Sequence, residues 1–162
     1  MIWSQEEWQL FTSKDFQKLK FIKQIQPQQD LVRKLHLENH VKFITDDVAI
    51  EEYVNAAEAV VLPYLNLNGT EGNPSCLLEA MACKTIAVTT EIPEIMETAQ
   101  ETVITSVPAD PLTLAASIEK AITLSSDIKK NMVDSAYILA QEQGVGKITE
   151  KCIDIYTKIK ST

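Results

Sequence analysis

The sequence predicts an α/β domain, a parallel sheet with helices on both of its faces. Three observations predict it. Two short runs, 59–62 and 86–88, are apolar and free of charge, as strands covered on both faces should be. Between them lie a polar loop carrying Gly69 and Gly72 and then a helical stretch, with Cys76, Leu77, Ala80, Met81 and Ala82 as its apolar face. Further on, Asp110 and Pro111 form a helix cap and first turn after a short strand at 102–105. Strand, glycine loop, helix, strand is the unit from which a Rossmann-like three-layer domain is built.

The elements follow in order. Ser4 and Glu7 have capping-box spacing with Trp3 and Trp8 as a staple, which starts a helix near residue 5; a strand over 8–11 is the alternative. Phe16, Leu19, Ile22 and Ile25 predict a helix over 14–25, stopped by Pro27, unless 19–25 is a strand. Leu31, Val32, Leu35 and Leu37 predict a second helix that ends by Asn39, and 41–45 predicts a strand. Asp46 or Asp47 is placed to cap a helix whose apolar face is Ile50, Tyr53, Val54 and Ala57. Asn73 and Pro74 stand as the cap and first residue of the next helix. The helix after Asp110 should run to Leu124 with Leu112, Ala115, Ile118 and Ile122 inward. Another should span 127–142, broken by Gly144 and Gly146, before a last helix with the stripe Ile148, Cys152, Ile155 and Ile159.

The chain has 162 residues, the length of a single domain, and is 45% hydrophobic, enough for a real core. Its net charge of −8 argues against a nucleic-acid partner, which needs a basic face, and Arg33 is the only arginine. No stretch is long and apolar enough to span a bilayer, and no signal peptide is expected. Cys76, Cys83 and Cys152 have neither disulfide nor metal-ligand spacing. Cys76 and Cys83 are expected as reduced core residues, which suits a cytoplasmic protein. His36 and His40 lack a carboxylate or Cys partner at ligand or triad spacing and are expected to be ordinary surface histidines.

The loop and helix after residue 62 carry the chemistry. Ligands of open parallel sheets bind at the carboxyl ends of the strands. A helix starting there turns unpaired N–H groups and its positive end toward the crevice, where a phosphate is the natural guest. Gly72 allows close backbone approach to an anion. Glu71 stands at the crevice, and Glu79 follows after seven intervening residues, inside the helix. Taken alone, Glu71 is equally a helix-start acid and Glu79 a solvated helix residue.

The run from Glu71 through Gly72, Asn73, Pro74, Ser75, Cys76, Leu77, Leu78, Glu79, Ala80 and Met81 to Ala82 resembles the E-x7-E signature of retaining nucleotide-sugar glycosyltransferases of the GT-B fold, in particular glycosyltransferase family four. Pro63 after the apolar strand falls in family order, as do Tyr53 and the Ala56-Ala57-Glu58 run. Lys14 resembles the family lysine that pairs with the donor diphosphate, although no Arg precedes it and Asp15 stands where the family has Gly. Thr45 replaces a Gly beside the nucleobase, Lys84 replaces a common Gly, and the 91–95 segment lacks the glycines of the family's Gly-Gly-x-x-Glu turn, marking a divergent member.

The resemblance implies the donor-binding half of such an enzyme. The donor diphosphate would lie over Thr70, Gly72, Asn73, Pro74 and Ser75, with Leu78 and Lys14 nearby. Glu79 would accept from the ribose hydroxyls, and catalytic Glu71 would face the transferred sugar. No cofactor or metal is implied; the nucleotide-diphosphate sugar is the donor substrate. The implied partner is an acceptor-binding N-terminal domain or subunit, with any membrane contact made peripherally through that half. A non-catalytic nucleotide-sugar-binding or scaffold subunit, and an unrelated Rossmann-like domain with another ligand, remain alternatives.

Overall fold

The computed structural model describes residues 25–66 and 74–160. The expectations for 3–24, including Lys14, and for 67–73, including Thr70, Glu71, Gly72 and Asn73, lie outside the described residues. The fold divides between Asp47 and Val48 into two units.

In the first unit, α1 spans 25–34. Pro27 lies inside it rather than ending a helix before it, in the first turn of the described helix, where a missing N–H breaks no described i→i−4 bond. The helix closes with two backbone bonds, Leu37 N–H to Val32 O at 3.0 Å and His36 N–H to Arg33 O at 3.1 Å, around His36 at φ 57°. That is the Schellman arrangement, built here without glycine. The strand expected over 41–45 is not formed. Val41 N–H donates to Leu37 O at 3.0 Å, closing a turn, and Val41 and Ile44 are both exposed, whereas a strand in this sheet would bury both faces.

The second unit holds α2 (Ile50–Ala56), β1 (Val60–Leu62), α3 (Ser75–Ala82), β2 (Ala87–Thr90), α4 (Pro93–Ala99), β3 (Ile104–Ser106), α5 (Pro111–Thr123), α6 (Ser126–Glu142) and α7 (Val145–Lys160). The strands form a parallel sheet in the order β1-β2-β3, with Val61 opposite Val88 and Val88 opposite Ile104. Alternation along the strands sends Val60, Leu62 and Ala87 to one face and Val61, Val88 and Ile104 to the other. The first face is packed with Val54 of α2, Leu77, Ala80 and Met81 of α3 and Ile95 of α4. The second is packed with Ala121 and Ile118 of α5. From α6, Ala136 joins the first layer and Val133 the second. This is the expected three-layer α/β fold.

Several local expectations are corrected. No aspartate caps α2; its N-cap is Ala49, without a side-chain bond. Pro74 is the N-cap of α3 rather than its first residue. Cys76 and Ala82 are exposed, because the helix seats itself on Leu77, Ala80 and Met81, and Cys76 points about a quarter turn away from that face. Cys83 is only half-buried, so the two thiols do not share a core site. β2 and β3 each lie a little later than expected. Thr102 instead turns the chain after α4, its hydroxyl donating to Ala99 O at 2.6 Å.

Asp110 does cap α5, its carboxylate accepting from Leu112 N–H at 2.9 Å and Thr113 N–H at 3.2 Å. The buried face of α5, however, is Ser117 and Ala121 with Leu114 and Ile118 partly buried; Leu112, Ala115 and Ile122 face outward, Leu112 at 83% exposure. Gly146 lies within α7 rather than before it, and every residue of α7 is exposed, the stripe Ile148, Cys152, Ile155 and Ile159 included.

Candidate functional site at the carboxyl edge

Parallel pairing puts the carboxyl ends of all three strands on one edge. β1 leaves that edge through Pro63, Tyr64, Leu65 and Asn66, and α3 returns from it at Pro74. Two consecutive threonines at the end of β2 fix the exit. Thr89 Oγ1 donates to Leu62 O at 3.2 Å, and Thr90 Oγ1 donates to Tyr64 O at 2.7 Å. Both threonines are buried, so these bonds satisfy hydroxyls that would otherwise be costly to desolvate. Nothing in the sequence reading singled them out; the signal was a pair of hydroxyl residues closing an apolar strand.

Among the described residues, α3 begins without a side-chain cap. Its first backbone bonds are from Leu77 N–H to Pro74 O at 3.0 Å and from Leu78 N–H to the same oxygen at 3.4 Å. The N–H groups of Ser75 and Cys76 precede them, no side chain among the described residues caps the helix, and no acid stands in its first turn. Such an end favours an anion. Ser75 and Glu79 are one turn apart on the exposed side of α3, opposite the buried Leu77 and Met81. The structure therefore brings Ser75 and Glu79 onto one face beyond buried Pro74, with half-buried Leu78 beside them. Glu79 is solvated rather than enclosed by its leucine neighbours, because those neighbours turn inward.

Tyr64 lies half-buried against the α3 core, and burial pushes its phenol above the ordinary tyrosine range, with the Cys76 thiol adding to the shift. Tyr64 is thus held at the place where β1 gives way to the signature loop, and it too was missed by sequence reasoning.

The far end of α3 is fastened by Lys84. Thr85 N–H donates to Ala80 O at 3.0 Å and Lys84 N–H to Met81 O at 3.1 Å, around Lys84 at φ 55°. Lys84 Nζ then reaches Asp134 Oδ1 on α6 at 2.7 Å and stands 4.8 Å from the ring centre of Tyr137. The hydrogen bond to Asp134 raises the lysine above its ordinary range and lowers Asp134 below its own. Thr85 Oγ1, buried, donates to Val54 O at 2.9 Å and ties the turn after α3 to α2. Among the described residues no group of three or more His, Cys, Asp or Glu could hold a metal ion, and no helix is long and apolar enough to cross a membrane.

A three-stranded parallel sheet covered by helices on both faces, with α3 starting at its carboxyl edge, defines a Rossmann-like α/β domain. The family model for glycosyl transferases group 1 matches residues 23–138, most of the chain. The chain belongs to that family, whose chemistry is glycosyl transfer. No curated protein matches it.

Proposed function

We propose that the chain binds a nucleoside-diphosphate sugar and serves as the donor domain for retaining transfer of a hexosyl group, in the manner of glycosyltransferase family four. The observation that carries the proposal is the exposed pairing of Ser75 and Glu79 at a helix start that no described side chain caps, inside the segment matched by the family. The diphosphate lies over Thr70, Gly72, Asn73 and Pro74 and takes the N–H groups of Ser75 and Cys76. Leu78 borders the nucleoside, and Glu79 accepts from the ribose hydroxyls, one turn being about the reach from diphosphate to ribose. Lys14 supplies positive charge to the diphosphate. Glu71 faces the sugar and supports the charge that develops at the anomeric carbon, while backbone donors stabilise the leaving diphosphate where negative charge grows. The acceptor is held by a second domain or a partner subunit, on the cytoplasmic side of any membrane involved.

A non-catalytic nucleotide-sugar-binding subunit is the second reading, favoured by a single arginine in a chain of net charge −8. Turnover of nucleotide sugar by the chain together with its acceptor partner separates the two.

Glu79→Gln tests the site. It keeps the side-chain shape and removes the charged acceptor. Hydrogen bonds to charged groups are the stronger kind, and Glu79 is solvated, so nucleoside-diphosphate affinity should fall by about tenfold, the lower end of that range. A 2′-deoxy nucleotide should bind the native chain more weakly and lose little further on the variant, since both changes remove one contact. Equal calorimetric affinities of native and variant for the ribonucleotide would remove Glu79 from the site.

A further inference from the structure

The backbone ladder between β1 and β2 ends at Leu62, opposite Thr89. Beyond that point hydroxyls hold the chain. Tyr64 N–H turns back onto Leu62 O at 3.0 Å, and Thr89 Oγ1 donates to the same oxygen at 3.2 Å. Thr90 Oγ1 then donates to Tyr64 O at 2.7 Å. Ala87 lies in the α3 layer and Val88 in the α5 layer, so alternation puts Thr89 on the first side of β2 and Thr90 on the second. The chain leaving β1 is thus gripped from both faces of the sheet, with Thr90 making the outermost hold. We propose that Thr90 is a positioning residue for donor binding, acting by holding Tyr64 against the first turn of α3; the assignment rests on the donor site proposed above.

Tyr64 passes that hold on to α3. Its side chain packs, half-buried, against the cluster that includes Leu77, Ala80 and Met81. Burial is the main cause of its raised phenol, and the Cys76 thiol adds to it, so the phenol neighbours the first turn of α3. Cys76 carries one of the two N–H groups assigned to the diphosphate. A buttress at that turn fixes the direction of those groups, and donors held in place beforehand need no ordering when the anion arrives. Thr90 is 2% exposed, so its hydroxyl is satisfied by Tyr64 O rather than by bulk water. A comparable bond lies at the opposite edge of the sheet, where buried Ser117 Oγ donates to Thr105 O at 2.6 Å and ties α5 to β3. That bond reaches neither Tyr64 nor α3, so it separates a local hold from general bracing of the sheet.

The test measures the affinities of the full chain for uridine and guanosine diphosphates by calorimetry, and the alkaline titration of the Tyr64 phenol by NMR of ring-labelled tyrosine. Thr90→Val keeps the side-chain shape and removes the donor. It should weaken nucleotide binding by up to about tenfold, the worth of one such bond, and bring the Tyr64 phenol down toward its ordinary range. Thr90→Ser keeps the hydroxyl and should retain the native affinity and titration. Thr90→Cys, a weaker donor, should fall between the two and carries the test if Thr90→Val does not fold. Ser117→Ala should leave affinity and titration as they are in the native chain. Native affinity in both Thr90→Val and Thr90→Cys, or equal losses in Thr90→Ser and Thr90→Val, overturns the proposal. A loss of the same size in Ser117→Ala overturns it too, by making the effect a general loosening of the sheet. Weakened binding with the Tyr64 titration unmoved shows that Thr90 does not act through Tyr64 and overturns it as well. A native chain that binds neither nucleotide refutes the donor site, and the positioning role with it.

Discussion

Lys84 takes a left-handed backbone conformation that glycine adopts without penalty, and the sequence marked the position as one where the family commonly has glycine. Its side chain explains why a lysine stands there: it joins the end of α3 to Asp134 and Tyr137 of α6. Lys84→Gly and Lys84→Ala both remove that link and differ in the backbone term alone. The glycine variant should melt a few degrees above the alanine variant in a thermal scan; equal melting temperatures would show that the left-handed turn is unstrained.

The link itself is pH-dependent. Asp134 is lowered in the fold, so its contribution is present above the ordinary carboxylate range and is lost as pH falls through the lowered value. Lys84 is raised, so its contribution is complete below the ordinary lysine range and is lost as pH rises through the raised value. A double-mutant cycle with Lys84→Met and Asp134→Asn should show coupling at neutral pH and none in strong acid. Other residue-level features were out of sight in the sequence. Helical spacing places Cys76 near an apolar stripe, but only the packing decides that the stripe is centred between Leu77 and Met81. The same packing turns Glu79 outward.

At the scale of elements, α3 is held by side chains that are fully buried. Leu77→Ala should cost about 2–5 kcal/mol, read by denaturant unfolding, because the residue is completely buried and its removal leaves a cavity beneath the helix that carries Ser75 and Glu79. A loss below 1 kcal/mol would mean that α3 is not seated as described. α5 gives a milder case. Asp110→Ala removes two cap bonds and should cost about 1 kcal/mol. Asp110 and Pro111 were legible as a start signal because capping chemistry is local. The inward face of α5 was not, since Leu112 and Ile122 are as apolar as Leu114 and Ile118, and only contact with β3 and Ala121's neighbours selects between the two stripes. For the same reason, 41–45 has strand composition but forms no strand: a strand needs a ladder partner, and its own residues cannot encode one.

At the scale of the molecule, the parallel three-layer arrangement was the most legible feature. It follows from uncharged apolar runs separated by helices, and both sheet faces are covered as that pattern requires. The family was legible in the run from Glu71 to Ala82, and the matched segment contains it. The apolar hollow lined by Pro63, Leu65, Val107 and Leu114 was not legible, because its walls come from the loops after β1 and β3, the end of β2 and the start of α5, which meet only after the strands align.

The central claim is that a nucleoside diphosphate sits on the start of α3 through backbone donors, without a metal. The most direct measurement is an amide NMR titration of the chain with uridine and guanosine diphosphates in the presence of EDTA. The account predicts saturable shifts led by the N–H groups of Ser75 and Cys76, with Glu79 following and the amides of α7 unmoved. Shifts that require Mg²⁺ or Mn²⁺, or that leave Ser75 and Cys76 unmoved while another surface responds, would contradict it.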